Sequence, residues 1–160
     1  MTAQADHYEE DFIGWTEEQA RMLRAAGAGQ RTNLALDWEH LAEEIEDAGR
    51  TYRRALASHV IVVIEHLLKL AFSPATEPRR GWMESVNSAR DEIDTWLTTE
   101  PGLRPRLPAI IVDARAAAVR RAVRALLDFH EDSAAAQARQ HNGLYSDEQI
   151  TGDWYPDRAA

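Results

Sequence analysis

The chain has 160 residues, 44% apolar and 28% charged, enough for a hydrophobic core and a solvated surface. It has no cysteine, which excludes a disulfide framework and thiolate chemistry and agrees with a cytoplasmic setting. The net charge of −9 is concentrated at the front: residues 1–50 hold 12 acidic and 4 basic residues, which disfavours nucleic acid as a partner.

The first segment, MTAQADHYEEDF, lacks the basic and apolar regions of a secretory leader, so none is expected. A first helix is predicted from Asp6 to Ala26. Tyr8, Phe12, Trp15, Met22 and Leu23 fall near one face, and Glu9, Glu10 and Asp11 complement the dipole of the first turns. Gly27-Ala-Gly29 reads as its stop.

The second predicted helix is long, Trp38 to Phe72, with Asp37 as its N-cap. Trp38, Leu41, Ile45, Tyr52, Leu56, His59, Val63, His66, Leu67 and Leu70 form one stripe at helical spacing. Gly49 lies beside the stripe, where a kink could form. On the opposite side, Glu39, Glu43, Glu46, Arg50 and Arg54 read as a solvated face. Further along, that same side becomes Ile61, Ile64, Leu68 and Phe72, divided from the first stripe by a wedge of Val62, Glu65 and Lys69. The β-branched run at 60–64 mimics a strand, but the spacing of three and four continues through it. A membrane span is not expected, because the longest apolar run is five residues and a span needs about 20.

A third helix is predicted from Gly81 to Leu97, with Trp82, Val86, Ala89, Ile93 and Trp96 as its stripe. A fourth starts near Pro105 and tolerates Pro108 in its first turn. It carries Leu107, Ile110, Ile111, Ala114 and Ala118 on one side and Val119, Val123, Leu126 and His130 on another. It ends either near Asp128 or near Gln140, with Asn142-Gly143 a clear stop. Ser146-Asp-Glu-Gln149 suggests a capping box, and GDWYPD is expected to lay Trp154 and Tyr155 on the body. The predicted fold is all-α: an antiparallel, four-helix bundle-like domain over residues 1–160. One long helix is central, and residues 146–160 form a short helical turn packed on the bundle.

The chemistry is sparse. A di-iron bundle needs Glu-x-x-His on two helices, and no histidine here follows that spacing. His59 and His66 sit seven residues apart, about 10.5 Å along the axis, too far to chelate one ion. Asp37, His40 and Glu44 share a face, but read as an N-cap and a surface pair. His40, Glu43 and His66 are the candidates for a metal or hydrolytic site, against their ordinary reading as surface and core residues. No nucleophile elbow, phosphate loop or triad order occurs, so no catalytic residue and no cofactor is predicted. The surplus apolar face points instead to self-association as a two-fold homodimer through Ile61, Ile64, Leu68, Phe72, Val119, Val123 and Leu126. The alternative is that the terminal segment covers that face. An unknown protein partner is compatible with either, and the acidic front third could mimic nucleic acid toward a basic partner. Neither nucleic acid nor membrane is expected as a partner.

DWEHLAEEIEDAGR (37–50) followed by HLLKLAFSP (66–74) resembles the domain of unknown function 29 family of small bacterial proteins. So do YEEDFIGWTEEQARMLR (8–24), EPGLRPRL (100–107) and YSDEQITGDWYPD (145–157), while 112–144 departs from the pattern. The resemblance implies an all-helical fold and no activity or catalytic residue.

Overall fold

Asp11 opens the first long helix of the computed structural model, its side chain accepting a hydrogen bond from the Gly14 amide at 2.9 Å. The structure describes residues 8, 10–29 and 36–157; Asp6 and Glu9 of the predicted first helix lie outside them. Among the described residues there are six α-helices: α1 Phe12–Gly29, α2 Trp38–Phe72, α3 Arg79–Thr99, α4 Leu107–Asp128, α5 Asp132–His141 and α6 Asp147–Thr151. A 3₁₀ helix, Pro101–Arg106, precedes α4. The all-α class and the long helix agree with the sequence reading. The four-helix count does not, because the predicted fourth helix is two helices and the tail forms another.

By packing, the chain falls into two compact units, Met1–Ala55 with Leu97–Pro105, and Leu56–Trp96 with Arg106–Ala160. In the first unit, α1 buries Ile13, Thr16 and Ala20. The expected stripe is therefore rotated: Met22 is 40% exposed, and Phe12 and Trp15 are only half-covered. Small residues set this contact. A Cβ on Gly49 would lie 2.3 Å from Thr16 Oγ1, so glycine there allows α1 and α2 to touch rather than bending α2. Ala20 and Ala42 of the same two helices are also buried. Gly27 does not stop α1; a Cβ there would meet Trp38 Cβ at 2.6 Å, another close approach. Outside this seam the unit also carries a ring cluster, with Phe12 5.3 Å from Tyr52, and surface ion pairs: Arg24 with Glu39 and Glu46 at 3.0 and 2.9 Å, and Arg53 with Glu17.

In the second unit, Leu56, Val60, Val63, Ile64, Leu67 and Leu68 of α2 are fully covered. Each such side chain contributes roughly 1.5–3 kcal/mol. By averaged hydropathy this stretch passes the test that run length alone failed: α2 holds an 18-residue window of mean hydropathy 1.7, long and apolar enough to cross a membrane. Half of that window is buried inside the chain, as in the centre of a helical domain. α3 turns Val86, Ala89 and Ile93 inward, as its stripe predicts.

α4 ends at Asp128 because the chain turns left-handed two residues later, at His130 (φ 60°). The His130 amide donates to Leu127 O at 2.9 Å and the Glu131 amide to Leu126 O at 2.9 Å, the paired bonds of a Schellman turn. His130 is exposed there and not part of an apolar stripe. α5 then returns along α4 with Ala134, Ala135 and Ala138 buried. Asn142 (φ 55°) and Gly143 (φ 62°) make the predicted stop. Gly143 presses on the second apolar side of α2: a Cβ there would meet Ile64 Cγ2 at 3.0 Å and Val119 Cγ2 at 3.3 Å. Ser146 and Gln149 form the predicted capping box. The tail is held by Arg90, only 7% exposed, which donates to the carbonyls of Gln149, Ile150 and Trp154 at 2.7, 3.0 and 2.7 Å. Its guanidinium also lies over the Tyr155 ring, 5.0 Å from the centroid.

Candidate functional site

The metal candidates come apart into ordinary roles. His40 is exposed and paired with Asp37 at 2.5 Å, which raises its pKa above the usual histidine value. Asp37 also accepts from the His40 amide at 3.2 Å, the predicted N-cap. Glu43 is exposed. His66 is half-buried with Nδ1 2.9 Å from Val62 O, and burial lowers its pKa. Among the described residues no group of three His, Asp or Glu side chains is placed to hold a metal ion, so nothing carries the metal-dependent alternative.

The expected interface residues are taken up inside the chain. Ile64, Leu68, Val119, Val123 and Leu126 are 8% exposed or less. Ile61 is half-covered, and Phe72 stands edge-on to His141, its ring centroid 5.6 Å away. Gly143 lies against Ile64 and Val119, and α5 packs along α4, so within the chain these side chains are largely covered.

What the sequence reading missed is a hollow in the second unit, at the C-terminal end of α2. It has a volume of about 610 Å³, and its walls include Lys69, Glu77, Trp82, Leu126, Phe129 and Glu131. Local structure explains how they meet. Ser73 follows α2, its amide bonded to Lys69 O at 2.9 Å and its Oγ accepting from the Ala75 amide at 3.1 Å. Pro74 cannot continue a helix, so the chain leaves the axis here. Arg79 Nη1 donates to Leu70 O at 2.9 Å, satisfying a carbonyl at the end of α2, and α3 begins with Trp82 in its first turn. On the other side, the Schellman turn leaves Phe129 78% exposed and brings Glu131 back toward Ser73, whose Oγ donates to Glu131 Oε1 at 3.0 Å.

The charges in this hollow are unevenly matched. Lys69 is only 8% exposed, and its Nζ lies 2.5 Å from Glu65 Oε1. The wedge between the stripes is thus a largely buried ion pair, four residues apart on one helix. Glu131 Oε2 is buried and has no hydrogen-bond partner among the described residues. A buried polar atom left unmatched costs about 1–3 kcal/mol, more when charged. The sequence offered two hints: Trp82 near a helix start, where it could rim a pocket, and Glu65 and Lys69 placed at i,i+4 inside an apolar run. Glu131 gave none, since its position depends on the left-handed turn before it.

The model of the domain of unknown function DUF29 matches residues 7–154. The chain belongs to the DUF29 family. The matched span includes 112–144, which the motif resemblance had left out. The structure is also similar to the crystal structure of an alpha-helical protein of unknown function from Rhodospirillum rubrum. The two are 33% identical with a TM-score of 0.56, over 77% of this chain and 76% of that one. No curated protein matches the chain. The DUF29 match and this bacterial relative establish the family and a helical fold, and they name no activity.

Proposed function

We propose that this DUF29 protein works by binding a small molecule, and that its site is the hollow at the end of α2. The observation that supports this is a mostly apolar-walled space of about 610 Å³ with a few polar residues, Lys69 and Glu131 among them, in its walls. Small-molecule sites are typically concave and mostly apolar, about 300–1,000 Å³, with a few placed polar groups. A cytoplasmic setting belongs to the same reading, supported by the absence of cysteine.

A thermal-shift screen of wild type beside Ala125→Trp, which fills the hollow, tests it. The expected result is compounds that raise the melting temperature of wild type and leave the filled variant unmoved, both proteins being helical by circular dichroism. Compounds that stabilise the two equally would overturn the reading.

Self-association, or contact with another protein, is the second reading. Its support is Phe129, 78% exposed, with Leu127 nearby at 37%. Sedimentation of wild type and Phe129→Ser decides it; a monomer in both, at high concentration, removes the homodimer.

A further inference from the structure

We infer that an arginine-rimmed groove between α4 and α5 docks the acidic front of α2 from a second copy of this chain, an inference that rests on the self-association reading and not on the small-molecule one. The groove has a volume of about 360 Å³. Val119, Val123 and Leu127 line it, each four residues from the last, an apolar ridge about 12 Å long. Leu127 is its exposed end. Arg120 and Arg124 stand beside that ridge on α4, and Arg139 comes from α5.

The arginines set this groove apart. Arg24, Arg50, Arg53 and Arg80 each pair with a carboxylate of the chain. Arg120, Arg124 and Arg139 are exposed and take no carboxylate among the described residues. From Ala114 to Leu127, α4 carries four arginines and no acid. Like charges four residues apart on a helix repel, so this clustering works against α4 until a counter-charge arrives.

The complement lies at the other end of the sequence. The front of α2 leaves Leu41 41% exposed, with Glu44 and Ala48 following on the same side at spacings of three and four. That side runs about 10.5 Å, close to the length of the ridge. Glu43 and Glu44 are exposed and, unlike Glu39, Glu46 and Asp47, pair with no arginine among the described residues. A helix that presents a leucine beside unmatched carboxylates suits an apolar ridge rimmed by guanidinium groups, whose bonds to carboxylate are charge-assisted. The charge of the chain is segregated to match: 12 acids against 4 bases in residues 1–50, and 15 against 14 in the remainder. A nucleic-acid backbone could also meet these arginines, but the net charge of −9 opposes it and it brings no apolar anchor.

The contact joins different surfaces of two copies, so complementary variants can test it. Sedimentation at high concentration compares wild type with Arg120→Glu/Arg124→Glu and with Glu43→Arg/Glu44→Arg. All four positions are exposed, so both variants should keep the helical circular dichroism of wild type. If either does not, the single changes Arg124→Glu and Glu44→Arg carry the same test. Alone, each variant should self-associate at least about ten-fold more weakly than wild type, because attraction becomes repulsion. Mixed in equal amounts, the two should recover association, since the acidic front of the first meets the unaltered groove of the second. Variants that weaken association without recovery on mixing would overturn the pairing. Association unmoved by either variant and lost in Phe129→Ser would also overturn it, and would leave the self-association reading standing. A wild type that stays monomeric removes both. If that monomer binds pyrophosphate and Arg120→Glu/Arg124→Glu does not, the groove belongs to a free anion instead.

Discussion

The two halves of α2 have the same helical repeat and are stabilised in different ways. From Trp38 to Ala55 the fully covered residues are small, Ala42 and Gly49, with Gly49 against Thr16; Tyr52 meets Phe12 edge-on, and much of the surface carries exposed ion pairs. From Leu56 to Phe72 the helix buries large aliphatic side chains of its own, and even its charged wedge, Glu65–Lys69, is mostly buried. Exposed pairs contribute roughly 0–1 kcal/mol each, so the front half depends on close backbone approach at Gly49 and on ring contact at Tyr52. The back half depends on buried apolar area, at about 25 cal/mol per Å². Continuity of a helix therefore says little about where its stability resides.

The largest expected effect breaks the back half. Leu68 is fully buried, so Leu68→Ala should cost about 2–5 kcal/mol in urea unfolding, and Leu68→Glu should abolish the cooperative transition. Had Leu68 belonged to a subunit interface, the glutamate would have left a folded monomer. A smaller effect tests the front half. Gly49→Ala places a methyl against Thr16 Oγ1, which is held by its bond to Ile13 O at 2.8 Å, and should cost about 1–3 kcal/mol. In a Thr16→Ala background the remaining contacts are ordinary, and the same change should stabilise by about 0.5–1 kcal/mol through helix propensity. If Gly49→Ala costs the same in both backgrounds, close approach is not what holds the seam.

The histidines sharpen the contrast with the least disturbance. His40, in the front half, is held above the ordinary histidine pKa by the Asp37 carboxylate; His66, in the back half, is held below it by burial. Proton NMR should show His40 titrating at higher pH than His66. The sign for stability follows for His66: a histidine that is harder to protonate when folded contributes fully above the ordinary value near 6.5. That contribution is lost as pH falls toward its folded value, so His66→Gln should flatten the loss of melting temperature between pH 7.5 and 5. Titration of both residues at one common pH would remove the distinction.

Large apolar residues at helical spacing were legible, and so were caps. The α2 limits, the inward stripe of α3, the Asp37 cap and the Ser146–Gln149 box follow from the sequence because each is a local pattern. The buried face of α1 was not legible, because Thr16, Ala20 and Gly49 are inconspicuous on a hydrophobicity scale while they allow the closest contact. The end of α4 was left open between Asp128 and Gln140 because His130 adopts a conformation usually given to glycine, and no glycine marks it. The site depended on that same turn. Residues 69–82 and 125–131 become one wall only after Glu131 is brought round to Ser73, and neither segment carries a recognisable motif alone.

Arg90 grips oxygen atoms that every amino acid supplies. The closing stretch around residues 149–154 is accordingly recognised by its length and path, with little regard for side-chain identity. Relatives could exchange the exposed letters between Ile150 and Trp154 and keep the clasp, whereas one residue inserted or deleted there would carry the Trp154 carbonyl out of register with the other two acceptors.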